Sequence, residues 1–257
     1  MKRAKPIVIA NWKGYVETPE EAKRFVQVIK RSTKTLSACQ VMLAPSFTLL
    51  PTLVPLLKNS AVQVGSQAVS AHPGGAHTGE VTGAMLRAVG AVFSIVGHSE
   101  RRALGGAGES EEGIQNQIAR ACEAGLGVVL CVGEHEREAS GAHFGIIAGQ
   151  LASALAAVPL KNMGKLMVAY EPVWAIGKTA ADAMQPGDVQ EVFIFIRKIL
   201  VEKIGRAAAL KVPILYGGSV EEENVQGLYH EGGVSGFLVG HASSKSDSFI
   251  KLIKALQ

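Results

Sequence analysis

Short apolar runs rich in β-branched residues recur along the chain, and most are separated by segments long enough to hold a helix. Eight of the runs predict strands: Ile7–Asn11, Val41–Ala44, Val62–Ser66, Phe93–Val96, Val128–Val132, Leu166–Tyr170, Val212–Tyr216 and Gly236–Val239. Each run is continuously apolar rather than alternating, which is typical of parallel strands covered by helices on their outer face. Because no change in composition divides the eight units, the pattern predicts one α/β domain over residues 1–257, a (β/α)₈ barrel.

The most strongly marked helix follows the first predicted strand. Thr18 suits the N-cap, Pro19 suits the first helical position, and Glu21 completes a capping box. The apolar residues that follow have the i, i+3, i+4, i+7 spacing of one helical face: Ala22, Phe25, Val26 and Ile29. The sequence therefore predicts an amphipathic helix that begins at this cap.

Composition indicates a globular chain and narrows the choice of partners. Hydrophobic residues make up 47% of the chain and charged residues 19%, so a large core is available and disorder is not expected. The net charge of +4 comes without a run of like charges or a basic stripe interleaved with aromatic residues. Nucleic acid is therefore not expected as a partner, whereas a small anion needs only a few local cations.

The cysteines and the hydropathy of the chain indicate the cellular compartment in which the protein is expected. Cys39, Cys122 and Cys131 lack the spacing of a metal site, and their odd number argues against a disulfide framework. The first apolar run, Ile7 to Ala10, is too short for the core of a signal peptide, and no later segment is long enough to span a membrane. We therefore expect a cytoplasmic protein without membrane attachment.

Polar, charged and glycine residues follow the predicted strands. In barrels of this type the working groups sit at the carboxyl ends of the strands, so these residues should share one rim. In chain order they are Asn11-Trp12-Lys13, Gly97-His98-Ser99-Glu100, Gly133-Glu134, Glu171-Pro172, Gly217-Gly218-Ser219 and Gly240-His241.

The first and fourth strand ends offer a cation and an imidazole. Lys13 can hold a phosphate and stabilise negative charge on a reacting oxygen, and Asn11 can orient Lys13 or bond the substrate. Ser99 is predicted as the N-cap of a helix that begins with Glu100, which places His98 near a positive helix end and disfavours imidazolium. A neutral imidazole can polarise a carbonyl and shuttle a proton. Glu100 is either a partner of the helix dipole or an acid paired with Lys13.

The sixth strand end offers a carboxylate aimed by the scaffold. Glu171 follows Val168-Ala169-Tyr170 directly, and Pro172 restricts its backbone to extended conformations. A carboxylate at such a position suits proton abstraction next to a carbonyl.

Glycine-rich turns end the last two strands, at residues 216–220 and 238–242. Turns after strands seven and eight of a barrel are the usual place for a phosphate site built from backbone N–H groups. Phosphate held in this way needs no metal, and neither a metal cluster nor a cofactor is expected.

Seven segments, spread over nearly the whole chain, resemble the triosephosphate isomerase family. They are NWK (11–13), HTGEVTGAML (77–86), IVGHSERR (95–102), CVGE (131–134), YEPVWAIG (170–177), YGGSV (216–220) and GFLVG (236–240). The resemblance implies a TIM barrel that interconverts dihydroxyacetone phosphate and glyceraldehyde 3-phosphate in glycolysis and gluconeogenesis.

The resemblance also implies roles for particular residues. Glu171 would remove a proton from the carbon between carbonyl and hydroxyl, while His98 polarises the carbonyl and moves protons between the two oxygens. Lys13 would stabilise the charge, with Asn11 beside it and Glu100 behind it.

The family's phosphate site and dimer contact map to other positions. Backbone N–H groups of Gly177, Ser219 and the Gly240-His241 turn would hold the phosphate. The loop around Thr78 resembles the family's interdigitating loop, which implies a homodimer.

The sequence departs from the family in several places. NWKGY replaces the usual NWKMN, and His241 replaces the second of two glycines, where its imidazole could crowd or assist the phosphate. In the family's lid, Ala-Ile-Gly is usually followed by Thr-Gly-Lys-Thr-Ala, whereas here Gly177 is followed directly by Lys178-Thr179-Ala180, and the segment then runs longer before the next helix, through Gly187. Either the lid tip lost two residues and Lys178-Thr179-Ala180 remains the hinge, or Lys178 and Thr179 now form the tip.

Two other functions compete with the isomerase. One is a different phosphosugar barrel, such as a lyase or an indole-synthesis enzyme, and the other is a non-catalytic phosphate-binding protein. A different phosphosugar barrel would not need Lys13, His98 and Glu171 together. A non-catalytic binding protein would be expected to have lost these residues, whereas all three are present.

Overall fold

A closed barrel of parallel strands forms the centre of the molecule. The computed structural model describes residues 4–32, 36–103, 109–138, 140–177 and 183–257. The strands within these ranges are β1 Ile7–Asn11, β2 Gln40–Ala44, β3 Gln63–Val64, β4 Phe93–Val96, β5 Gly127–Val132, β6 Leu166–Tyr170, β7 Ile214–Tyr216 and β8 Gly236–Val239. They pair in the order β3-β2-β1-β8-β7-β6-β5-β4. A parallel bridge between Ser66 and Ser94 joins β3 to β4, so the predicted (β/α)₈ barrel is confirmed.

Helices surround the barrel. Within the described ranges they are α1 Pro19–Arg31, α2 Leu50–Leu57, α3 Gly83–Ala88, α4 Ser99–Arg102, α5 Glu111–Glu123, α6 Ala142–Ala156, α7 Pro186–Ile204, α8 Arg206–Ala209, α9 Val225–His230 and α10 Ser246–Ala255. Short 3₁₀ turns occupy Phe47–Leu49, Leu160–Lys165, Val173–Ala175 and His241–Ser243. In the part of the chain that the structure describes, every helix is too short or too polar to cross a membrane.

The predicted start of α1 is confirmed in detail. The Thr18 hydroxyl accepts from the Glu21 N–H at 3.3 Å, and the Glu21 carboxylate accepts from the Thr18 N–H at 3.2 Å. The backbone N–H groups of Thr18 and Glu17 both donate to this carboxylate and lower the pKa of Glu21. Pro19 occupies the first turn, and the predicted apolar face is buried: Ala22, Phe25, Val26 and Ile29.

The strand predictions are correct for β1, β4, β6 and β8 and differ at the ends of the others. β2 and β5 each begin one residue earlier than predicted, at Gln40 and Gly127; these starts were not predicted because neither glutamine nor glycine is a residue type that indicates a strand. β7 begins at Ile214 rather than Val212, because the intervening Pro213 has no N–H to donate to a ladder. β3 is shorter than predicted, and Ser66 pairs only through the isolated bridge.

Burial on both faces explains why the strands read as continuous apolar runs. In β1, Ile7 and Ile9 point into the barrel, where they meet Met42, Phe93 and Leu238. Val8 and Ala10 alternate with them and belong to the larger core between strands and helices. Because both faces are filled with apolar side chains, the polar residues that follow the strands collect at the barrel rim.

Candidate active site

The carboxyl ends of the strands surround a cavity of about 320 Å³. All of the predicted site residues except Glu100 line it: Asn11, Lys13, His98, Glu171, Gly177, Ser219, Gly240 and His241. A larger hollow of about 660 Å³ lies at the opposite end, where residues of α1 and α2 and of the segments before β1, β2 and β3 form most of its wall. Size alone would favour that hollow, but its described lining brings together no acid, base and electrophile of the kind seen at the rim.

Glu171 is almost fully buried, with 2% of its surface exposed. One carboxylate oxygen accepts from the Ser99 N–H at 2.9 Å, and the other lies 3.1 Å from His98 Nε2. The residue is fixed from behind by the end of β5, where its N–H donates to the Val132 carbonyl at 2.8 Å. A Cβ added at Gly133 would lie 1.8 Å from the Glu171 carbonyl oxygen, so only glycine permits this close backbone contact.

His98 itself caps α4, and the prediction that Ser99 is the N-cap was wrong. The helix begins at Ser99, and His98 Nδ1 accepts from the Glu100 N–H at 3.2 Å. An Nδ1 atom that accepts a backbone N–H carries no proton, which leaves Nε2 as the donor of a neutral ring. The Nε2–H therefore points toward Glu171 and the cavity.

Lys13 is held in place by its backbone and its ammonium group. It has a φ of 47°, the left-handed conformation that side chains rarely adopt. Asn11 Oδ1 accepts from its N–H at 3.2 Å, and Gln67 Nε2 donates to its carbonyl at 2.9 Å. The ammonium lies 2.5 Å from Glu100, so Glu100 stands in the first turn of α4 and also pairs with Lys13. Sequence reasoning missed Gln67, because a glutamine after a short strand carries no motif.

Cys131 lies in the barrel interior beneath Glu171. Burial, followed by the charge of Glu171, raises the pKa of the Cys131 thiol well above its usual value. The protonated thiol is a poor nucleophile, so Cys131 packs the barrel rather than reacting.

Four residues line the other side of the cavity: Gly177, Ser219, Gly240 and His241. Within the described residues, their backbone N–H groups donate to no backbone carbonyl. The Ser219 hydroxyl is already used, because it donates to the Ala175 carbonyl at 2.9 Å. Unpaired N–H groups beside glycine-rich turns are the arrangement expected of an anion site.

Comparisons with known proteins agree with this geometry. The family model described as triosephosphate isomerase matches residues 6–256. A triosephosphate isomerase of Carboxydothermus hydrogenoformans is 42% identical over 254 residues, which cover 97% of this chain and 98% of that relative. Those of Endomicrobium trichonymphae and Roseiflexus castenholzii are 39% and 36% identical, each over at least 97% of both chains. The chain belongs to the triosephosphate isomerase family.

The start of the family's lid is anchored by a residue to which the sequence gave no role. Glu134, fully buried at the end of β5, accepts from the Tyr170 hydroxyl at 2.8 Å and from Trp174 Nε1 at 2.9 Å. Its carbonyl also accepts from the Val173 N–H. Burial and the Glu134 carboxylate raise the pKa of Tyr170, which keeps the hydroxyl protonated as a donor. The feature of the sequence that could have indicated this role of Glu134 was its place in the polar pair Gly133-Glu134 at the end of a predicted strand.

The two interpretations of the lid tip concern residues that lie mostly outside the described ranges. The description stops at Gly177 and resumes at Ala183, so Lys178 and Thr179 are not included. On the far side, Ala183 and Met184 are buried, and α7 begins at Pro186. The choice between a shortened tip and a displaced tip therefore remains a sequence prediction.

His241 stands at the mouth of the cavity, where the family usually has glycine. Its side chain is exposed, and its ring meets that of Tyr15 edge to face with centroids 5.7 Å apart. Among the residues that the structure describes, no group of three or more His, Cys, Asp or Glu side chains is arranged to hold a metal ion.

Proposed function

We propose that this chain interconverts dihydroxyacetone phosphate and D-glyceraldehyde 3-phosphate, a reaction of glycolysis and gluconeogenesis. Membership of the triosephosphate isomerase family supports this aldose–ketose isomerase activity. The observation that carries it is the convergence of the Glu171 carboxylate, the His98 Nε2–H and the Lys13 ammonium on one cavity. Neither a phosphosugar lyase nor a non-catalytic binder needs these three groups together.

Glu171 is the proposed base. Its carboxylate takes the proton from the carbon that lies between the carbonyl and hydroxyl groups; the C–H electron pair forms the C=C bond of the enediolate, and the carbonyl π pair moves onto the oxygen. The Glu171 carboxylate accepts from the Ser99 N–H and faces His98. It must release one of these contacts to reach the substrate carbon, and the same carboxylate then returns the proton to the neighbouring carbon.

His98 and Lys13 stabilise the enediolate that forms. A neutral Nε2–H donates to the developing oxyanion and passes a proton between the two oxygens, which is the established role of histidine in this family. The Lys13 ammonium supplies positive charge in a site that excludes water. Glu100 keeps the ammonium in position through their ion pair.

The phosphate binds to backbone N–H groups on the other side of the cavity. Within the part of the chain that the structure describes, the N–H groups of Gly177, Ser219, Gly240 and His241 donate to no backbone carbonyl, which supports this assignment. Binding energy from the phosphate can hold the lid closed over the enediolate, and water exclusion then limits loss of phosphate from that intermediate.

Isomerase activity is tested by a coupled assay that follows conversion of glyceraldehyde 3-phosphate. We expect turnover by the purified protein without added metal or cofactor. Pure, folded protein without activity would refute the proposed function. Binding of a phosphate analogue should also slow hydrogen exchange at residues 173–177, and unchanged exchange would argue against lid closure.

We further propose a single cytoplasmic domain that forms a homodimer. A second concavity of about 170 Å³ lies on the outer side of Lys13 and His98, and Phe47 forms part of its wall. Thr78 lies on an exposed loop, and Met85 is 55% exposed on α3 nearby in the chain. An exposed apolar side chain on a concavity, here Phe47, and another on a neighbouring exposed segment, here Met85, suit contact with a partner subunit.

Light scattering tests the dimer. The protein should have twice the mass of the chain, and Thr78→Arg should give monomers with much lower kcat. Leu160→Arg, at an exposed site outside this loop, is the matched control and should change neither mass nor kcat. A fully active wild-type monomer would contradict the proposal.

A further inference from the structure

Tyr15 and His241 come from different strand ends and contact each other at the mouth of the cavity. Tyr15 lies in the turn after β1, and His241 follows Gly240 directly after β8. Their rings are 5.7 Å apart with planes at 78°. Neither residue matches the usual family sequence, in which the two positions are asparagine and glycine. The contact is therefore a feature of this chain rather than of the family pattern.

Charged groups surround His241 on the neighbouring elements. The turn after β1 brings Lys13 beside Gly240, since a Cβ added at Gly240 would lie 3.3 Å from the lysine Cε. The loop after β7 brings Glu221 into the same cavity. Burial raises the pKa of Glu221, while the charge of His241 acts in the opposite direction, so the two groups interact electrostatically. The other titratable residues of the cavity wall are Tyr15, His98 and Glu171.

The place of His241 connects its ring to the anion site. His241 lines the cavity, and its backbone N–H donates to no backbone acceptor within the described residues. An anion bound at that N–H would lie next to the residue that carries the imidazole. The edge-to-face contact with Tyr15 restricts the ring, which an exposed histidine would otherwise turn freely into solvent.

We propose that His241 determines phosphate affinity in a pH-dependent way, with its imidazolium adding a positive charge to the phosphate subsite. This inference rests on the proposed isomerase function, because it assumes that a phosphate occupies this end of the cavity. Tyr15 orients the ring, and Glu221 places a negative charge in the same cavity.

The sign of the pH dependence follows from the charges around the cavity. A histidine side chain gains its proton between about pH 8 and 5. At the acidic end of that range, Lys13 and His241 are both positive and attract a dianion. At the alkaline end, His241 adds no positive charge, while Lys13, Glu171 and Glu221 keep theirs, so anion affinity decreases as the pH rises.

Sulfate is the probe for this test. A phosphate monoester changes its own charge near pH 6, whereas sulfate keeps two negative charges throughout. Calorimetry at constant ionic strength would give its dissociation constant at about pH 5.5 and about pH 8.5, on either side of the histidine range. The proteins compared are the wild type, His241→Asn, and His241→Gly, which restores the family residue. His230→Asn, an exposed histidine at the end of α9 and outside the cavity lining, is the matched control.

Wild-type protein and His230→Asn should lose about two- to fivefold more sulfate affinity over this range than either His241 variant. In turnover, the ratio of KM between His241→Asn and wild type should be largest at low pH, with a pH-independent ratio of kcat. A purely structural role of His241 would not give a KM ratio that depends on pH together with a kcat ratio that does not. Sulfate binding with the same pH dependence in all four proteins overturns this inference and leaves the isomerase function intact. Absence of sulfate binding in every protein overturns both this inference and the proposed phosphate site.

Discussion

The two halves of the cavity are built from different parts of the chain. The half that we propose to be catalytic, called the catalytic half, consists of the side chains of Lys13, His98 and Glu171, each fixed by a hydrogen bond or an ion pair. The half that we propose to bind phosphate, called the phosphate half, offers mainly backbone N–H groups, from Gly177, Ser219, Gly240 and His241. In the first half, residue type decides the chemistry. In the second, the course of the backbone decides it, so many side chains are compatible with the same contacts.

This difference explains where the chain departs from its family. The catalytic half keeps the family's three chemical groups. The phosphate half has His241 in place of a glycine, and the lid beyond Gly177 has a different length. A backbone donor survives such substitutions, whereas a base or an electrophile does not. The following substitutions test whether catalysis and anion binding can be impaired independently of each other.

The largest effect is expected from Glu171→Gln, which removes the base and retains the size of the side chain. Turnover should fall by about 10²- to 10⁴-fold, while sulfate affinity changes little because the phosphate half is intact. Steady-state kinetics and calorimetry measure the two quantities. Glu231→Gln, an exposed control after α9, should match the wild type. A parallel loss of sulfate binding would mean that the halves are not independent.

Gly133→Ala should move the base without removing it. The added Cβ would overlap the Glu171 carbonyl, so the end of β6 must shift. A displacement of about 1 Å can reduce kcat by about 100-fold. Gly149→Ala is the control, because this exposed glycine in α6 has open space and alanine favours a helix by about 1 kcal/mol. Equal activity of the two variants would show that the Glu171 backbone tolerates the shift.

Ser219→Ala tests how the lid is attached to the phosphate half. The variant loses the bond to the Ala175 carbonyl, which is worth about 1 kcal/mol. KM should rise about fivefold, with faster hydrogen exchange at residues 173–177 and a smaller change in kcat. Ser60→Ala removes a similar serine-to-carbonyl bond far from the rim, to Leu57, and should leave KM unaltered. A change in kcat alone would assign Ser219 to the catalytic half.

The smallest effect is expected from Glu221→Gln. At about pH 8 a carboxylate repels the anion, so the variant should bind sulfate about twofold more tightly than wild type. Because burial raises the pKa of Glu221, its negative charge is lost at a higher pH than usual. The difference between the two proteins should therefore disappear as the pH falls through that raised pKa. A difference that persisted at lower pH would have a steric cause.

Much of the fold could be predicted because the barrel places apolar residues on both faces of each strand. Four strands were located to the residue by this signal alone, whereas Pro213 shortened β7 in a way that apolar content does not reveal. Glu171-Pro172 could be identified as an aimed carboxylate. The helix cap made by His98 could not be identified from the sequence, because both His98 and Ser99 offer a side-chain acceptor at the start of α4.

Contacts between distant segments were the part of the site that the sequence could not supply. Gln67 bonds a carbonyl that is 54 residues away in the chain, and Trp174 bonds Glu134 across 40 residues. The contact of Tyr15 with His241 joins the first strand to the last. No local pattern encodes such pairs, since they exist only once the barrel has closed.

The closure at Ser66 and Ser94 also affects how the protein behaves when it is concentrated. The N–H groups of Val92 and Ser66 donate across this seam to Val64 and Phe93, so β3 and β4 pair with each other rather than ending the sheet. An open sheet of this size would present two rows of unpaired backbone groups to which a strand of another molecule could add. The same seam that completes the rim therefore also protects the folded protein from edge-to-edge aggregation.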